Sequence, residues 1–175
     1  MQHDDHVALI RSGVDGAGPL WLELGAGDGE FTLALADVLG PTGRIVAVDR
    51  DGRALAALAS RVGTSFPDVH IRTQTLDFTR ELPDGPFDGV LAANSLHFVA
   101  DQASLLTSIV GRLAPGGRFV LVEYDADRGN PYVPHPIPVH RWAGLANAAG
   151  LSTARLIHRV PSRFLGSIYG SVGTR

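Results

Sequence analysis

Leu20-Trp21-Leu22-Glu23-Leu24-Gly25-Ala26-Gly27-Asp28-Gly29-Glu30 is the stretch on which the fold turns. An apolar run, interrupted only by Glu23, breaks into alternating glycines and passes directly into a helical pattern from Phe31. Strand, glycine turn and helix in that order form the first half of a nucleotide-binding βαβ unit. One glycine permits the tight turn, and another lets a ligand approach bare backbone. The free N–H groups at the helix start favour an electron-rich ligand group.

Downstream, Phe31, Ala34, Leu35 and Val38 recur at helical spacing, so a helix is expected over 29–39, stopped by Gly40-Pro41-Thr42-Gly43. Arg44 to Val48 (RIVAV) is a second strand, nearly all apolar because both its faces are covered, with Asp49 at its end. Leu55, Leu58, Ala59 and Val62 mark the next helix, and Val69 to Thr73 a third strand. Asp77-Phe78, Pro83, Gly85 and Pro86 lie in loop before a fourth strand, Phe87 to Ala93, whose exit loop is Asn94 to Phe98. A helix over about 101–113 ends at Pro115-Gly116-Gly117, which turns into a fifth strand, Arg118 to Glu123. Residues 125–137, with three prolines and no periodicity, read as loop. A helix through Val139, Trp142, Ala146 and Ala149 follows, and two last strands, Thr153 to Val160 and Arg163 to Tyr169, form an antiparallel pair around Pro161. Upstream, Val7, Ile10 and Val14 give a short helix over 3–14 with Asp4 or Asp5 as its cap.

Alternation of strands and helices through the first five strands implies an α/β fold: a Rossmann-like, doubly wound, mostly parallel seven-stranded sheet with an antiparallel C-terminal strand. Ligands in such sheets bind at the carboxyl ends of the strands. Gly25–Gly29, Asp49, Asp77, Asn94 and Tyr124 therefore converge on one edge although they span a hundred residues of chain. No repeat or low-complexity linker interrupts residues 1–175, which read as a single domain.

Composition narrows the chemistry. The chain has no cysteine, which excludes disulfides, thiolate metal sites and a cysteine nucleophile. It has no lysine either; all 15 basic residues are arginine, so a P-loop lysine and a Schiff-base lysine are excluded. That bias fits a GC-rich, bacterial genome. A net charge of −3 gives no argument for nucleic acid or anionic membrane. No apolar run approaches the ~20 residues of a membrane span, and MQHDDHVALI has no signal-peptide core, so a cytoplasmic location is expected. His135, His140 and Tyr132 lie near one another in sequence, but without a supporting carboxylate or cysteine pattern no metal site is expected.

Together these motifs resemble the class I S-adenosylmethionine-dependent methyltransferases over about residues 20–170. Glu23-Leu24-Gly25-Ala26-Gly27-Asp28-Gly29 is similar to their ExGxGxG motif, and Asp49 to the acid that ends their second strand. Asp77-Phe78 resembles their adenine-side motif. Phe87-Asp88-Gly89-Val90 with Asn94-Ser95-Leu96-His97 resembles their fourth strand and its exit, and Leu113-Ala114-Pro115-Gly116-Gly117 their LxPGG turn. The resemblance implies S-adenosyl-L-methionine as cofactor. Gly25, Ala26 and Gly27 would line its methionine portion, with Glu23 below near the amino group. Asp49 would accept both ribose hydroxyls, Arg50 would flank the adenine, Asp77 would accept from its amine, and Phe78 would offer its N–H. Asn94 would contact the region of the reacting centre.

Methyl transfer from a sulfonium needs alignment and exclusion of water; a base is required only if the acceptor must lose a proton. His97 and Tyr124 are the candidate catalytic groups, with His97 favoured as a packing residue over a base. Base-amine and glutamine methylating members carry Asn/Asp-Pro-Pro-aromatic after strand four; here Asn94-Ser95-Leu96-His97 points instead to a small-molecule acceptor. Fewer than twenty residues precede the first strand, too few for a helical lid, so 125–137 is the expected acceptor-side cover, with Tyr124, Tyr132 and His135 near the pocket. The pocket is then open or completed by a second subunit in a homodimer. Two other readings stay open. One is a non-catalytic cofactor- or partner-binding module. The other is an NAD(P)-dependent oxidoreductase, disfavoured because Glu30 occupies the third glycine position of GxGxxG.

Overall fold

The computed structural model describes residues 1–175. Helix α1 (His3–Val14) has its first turn closed by Asp5, whose carboxylate accepts the Gln2 N–H at 2.9 Å from inside the helix. There follow β1 (Leu20–Leu24), α2 (Glu30–Leu39), β2 (Arg44–Asp49), α3 (Gly52–Ser65), β3 (His70–Thr75), β4 (Phe87–Ala93) and α4 (Gln102–Val110). The chain ends with β5 (Leu113–Tyr124), α5 (Val139–Ala148), β6 (Ser152–Pro161) and β7 (Ser167–Thr174). Asp51 and Asp101 cap α3 and α4 by accepting the Arg53 and Ser104 N–H groups at 2.9 and 3.1 Å.

The seven strands form one sheet in the order β3-β2-β1-β4-β5-β7-β6, parallel through the first five and antiparallel at β7 and β6. Alternation along each strand divides the core into two layers. Trp21, Ile45, Leu91 and Val120 pack with α1, α2 and α3 on one face. Leu22, Leu24, Phe119 and Leu121 pack with α4 and α5 on the other. With both faces covered, the strands can be apolar throughout, which is why RIVAV and RFVLV carry no polar face.

The β3–β4 connection is loop, as the sequence implies, whereas the end of α4 and the start of β7 differ from the sequence expectation. In that loop Asp77 turns the chain by accepting the Thr79 N–H and hydroxyl, and Pro83 and Pro86 lack the N–H that a helix would need. Helix α4 stops at Val110, not 113, because Phe87 N–H captures the Arg112 carbonyl at 2.8 Å and Leu113 already pairs with Phe87. Pro115-Gly116-Gly117 then rides inside β5 as an irregularity of register. The last strand begins at Ser167 instead of Arg163. Ser162 accepts the N–H groups of Phe164 and Leu165 at 3.1 and 3.3 Å and donates its own to Gly166, which folds 162–166 into the hairpin loop.

Candidate donor site at the carboxyl edge

After β1 the chain takes left-handed conformations at Gly25, Gly27 and Gly29, with φ of +74°, +51° and +85°. The N–H groups of Gly25 and Ala26 both reach the Val48 carbonyl, at 2.9 and 3.0 Å. A Cβ on Gly25 would lie 2.7 Å from the Ser95 Cβ and 3.4 Å from the Phe78 ring, so the loops after β1, β3 and β4 meet there. A Cβ on Gly27 would meet nothing within 4 Å, leaving that stretch of backbone open to a ligand.

Asp49 ties the turn to β2. Its two oxygens accept one N–H each, from Gly27 and from Asp51, both at 2.9 Å. The aligned acid at the strand end is thus structural before any ligand arrives. Each oxygen keeps a second acceptor direction.

Gly25, Asp49, Arg50, Asp77, Phe78 and Asn94 all line one cavity of about 390 Å³. Leu76, Ser95 and Phe98 line it too and escaped the sequence reading. Phe98 is the informative omission: a phenylalanine 61% exposed beside a cavity is a wall, and only its place after β4 could have suggested it. Asp77 is exposed, with 43% of its side chain accessible, and its carboxyl is held below the usual range first by the Thr79 hydroxyl, then by the Thr79 N–H. Asn94 sits at φ +50° with a buried Oδ1 that has no partner.

Glu23, Ala26 and Gly27 are not on the cavity wall. Glu23 is buried within the α2 layer, its Oε2 lacking a hydrogen-bond partner. Burial pushes its carboxyl up to about 8; the nearby Thr32 hydroxyl tempers the rise without completing a hydrogen bond.

His97 is 3% exposed. Its Nδ1 lies 3.0 Å from both oxygens of Glu123, which also accept the N–H groups of His97 and Tyr124 at 3.1 and 3.0 Å. This clasp joins the exit of β4 to the end of β5. Glu123 was not foreseen as a site residue; the signal was an acid closing an otherwise apolar strand. Burial, then the Glu123 charge, pushes the Tyr124 phenol above its usual value. The 125–137 loop lies at the same edge, where His135 donates its N–H to the His97 carbonyl at 2.9 Å and its carbonyl accepts from Gln102 at 2.6 Å. The His135 and Tyr132 side chains are exposed.

The geometry therefore offers a glycine turn, a carboxylate behind it and a cleft closed by the β3 and β4 exits. Residues 22–119 match the family profile described as Methyltransferase domain. A ubiquinone/menaquinone biosynthesis C-methyltransferase from Hahella chejuensis is 29% identical over 142 residues, covering 78% of this chain and 55% of that protein. A trans-aconitate 2-methyltransferase from Streptomyces coelicolor is 33% identical over 103 residues, covering 59% of this chain and 34% of that one. The chain thus spans about half or less of the curated relatives it matches. Among solved structures, the Burkholderia thailandensis 1,6-didemethyltoxoflavin-N1-methyltransferase, with its substrate and S-adenosylhomocysteine bound, superposes with a TM-score of 0.77 at 22% identity. That likeness covers 99% of this chain and 77% of the other, and it speaks for the fold. With the profile spanning both the glycine turn and the β4 exit, this chain belongs to the methyltransferase-domain family.

Proposed function

We propose that this protein transfers a methyl group from S-adenosyl-L-methionine to a small-molecule acceptor. The observation that carries the reading is the gathering of Gly25, Asp49, Arg50, Asp77, Phe78 and Asn94, from four separate loops, around one cavity in a chain of this family. The residues fit the cofactor. The open backbone at Gly27 admits its methionine portion beside Gly25 and Ala26, with Glu23 beneath. Asp49 retains one acceptor direction on each oxygen for two adjacent ribose hydroxyls, so binding leaves the Gly27 and Asp51 ties intact. Arg50 and Phe78 flank the adenine. Asp77 Oδ2 makes no hydrogen bond within the chain and, beside its 3.5 Å ion pair with Arg80, has an acceptor direction for the amine, while Thr79 occupies Oδ1.

The bound cofactor supplies a sulfonium methyl, to which the acceptor's lone pair bonds while the carbon–sulfur pair stays on sulfur. The chain's own part is alignment and drying of the cleft. His97, buried with Nδ1 committed to Glu123, holds the β4 exit loop in place; it is a positioning residue. Tyr124 belongs to the acceptor side.

Calorimetric titration tests this. S-adenosyl-L-methionine should bind saturably and NAD should not. Asp49→Ala should weaken binding at least tenfold. Asp49→Asn, which keeps an oxygen for the Gly27 N–H, should fall in between. Unchanged affinity in Asp49→Ala would overturn the assignment.

A further inference from the structure

The donor cavity has a neighbour. A second cavity of about 620 Å³ lies at the same sheet edge and shares Asn94 with the first. Its walls include Tyr124 from the end of β5, Ile168 from β7, and Arg163 and Phe164 from the β6–β7 hairpin loop. The size is within the ~300–1,000 Å³ of small-molecule sites.

Its aromatic wall is unusual for a surface. Phe164 meets Tyr124 and Tyr132 edge-on, both at 5.9 Å between centroids, with interplanar angles of 60° and 75°. Yet Phe164 stays 52% exposed and Tyr132 72% exposed. Phe164 is not hanging loose: its N–H and that of Leu165 are held by Ser162 Oγ. A half-exposed ring carried on an anchored turn can serve as a stacking platform. Tyr124 is fixed from behind, because Glu123 accepts its N–H and His97 packs edge-on at 5.9 Å.

Charge and hydrogen bonding add to the description. Arg159 on the same hairpin is paired with Asp125 at 2.9 Å. Arg163, beside Phe164 on the cavity wall, has no ion-pair partner. The wall's own acid, Asp5, is engaged with the Gln2 N–H. An unpaired guanidinium on the wall suits a planar carboxylate. At the junction of the cavities, buried Asn94 Oδ1 lacks a hydrogen donor.

We propose that this second cavity is the acceptor site and takes a planar aromatic acid bearing a hydroxyl or amino group. The ring stacks on Phe164 and Tyr124, the carboxylate meets Arg163, and the O–H or N–H points at Asn94 toward the donor cavity. The assignment rests on the methyl-transfer reading for its chemistry. On transfer the hydroxyl or amino lone pair bonds the methyl carbon, the carbon–sulfur electrons remain on sulfur, and the displaced proton leaves to solvent.

The test uses the full chain and 3-hydroxybenzoate as probe, with and without saturating S-adenosylhomocysteine, followed by ligand-observed NMR. Saturable binding is expected, with 3-hydroxycyclohexanecarboxylate at least tenfold weaker. Phe164→Ala and Arg163→Gln should each weaken the aromatic acid at least fivefold. Both side chains are exposed, so the folded state and the S-adenosylhomocysteine affinity should stay within twofold of the parent. Failure of 3-hydroxybenzoate to saturate, or indifference to both substitutions, overturns the acceptor assignment. Failure of S-adenosylhomocysteine alone to bind overturns the donor reading instead, and the titration without it still decides the aromatic site.

Discussion

Glu23 holds a proton at neutral pH that it would release on unfolding. Its folded value of about 8 lies above its ordinary 4.5, so the native state binds the proton more tightly. The resulting stability is full below about pH 4.5 and is lost as pH rises toward 8, at about 1.4 kcal/mol per unit. Glu23→Gln should flatten that decline, read as the urea midpoint from pH 5 to 8. His6 works in the opposite direction: burial depresses its pKa below 6.5, so its contribution to stability is lost as pH falls below 6.5. His6→Leu should remove the acid-side loss alone. Sequence shows Glu23 as part of a motif but cannot show that its carboxyl is sealed off, because burial is decided by α2 folding back over β1. Asp49 is a similar case. Its place at the strand end was legible, whereas its ties to Gly27 and Asp51 depend on how two loops meet.

Among elements, the tightest approach is between α1 and the sheet. A Cβ on Gly170 of β7 would stand 1.8 Å from the Leu9 carbonyl oxygen, which is backbone and cannot swing away. Gly170→Ala should therefore force α1 off the sheet and cost more than about 3 kcal/mol in a denaturant titration. Gly144 is the counter-case within α5, with open space where its Cβ would be. Gly144→Ala should stabilise by about 0.5–1 kcal/mol through helix propensity and a less free unfolded chain. Strands two and four were legible to within a residue because buried parallel strands are plain apolar runs. The start of β7 was not, because a single serine hydroxyl, by folding 162–166 into a loop, decides where the hairpin ends. The helix-free β3–β4 connection was legible too, because Pro83, Gly85 and Pro86 punctuate it.

For the whole molecule, ligand binding and stability are linked. A cofactor at a hundred times its dissociation constant should add about 2.7 kcal/mol, which for a chain of this size raises Tm by roughly 5–10 °C. NAD at the same concentration should leave Tm unmoved. No helix is long and apolar enough to cross a membrane. The carboxyl edge was predictable as the place of the cavity, since parallel topology alone sends every strand end there. The shape of the second cavity was not, because it depends on the tip of a hairpin whose register the sequence leaves open.

The helix-free connection between β3 and β4 has a practical corollary. Arg80 projects from it with 85% of its side chain exposed, one residue after Thr79 on the donor cavity wall. Trypsin should nick the folded chain there early, and a seated nucleoside should slow the cut. That turns a simple gel into a footprint of occupancy that requires no knowledge of the second substrate.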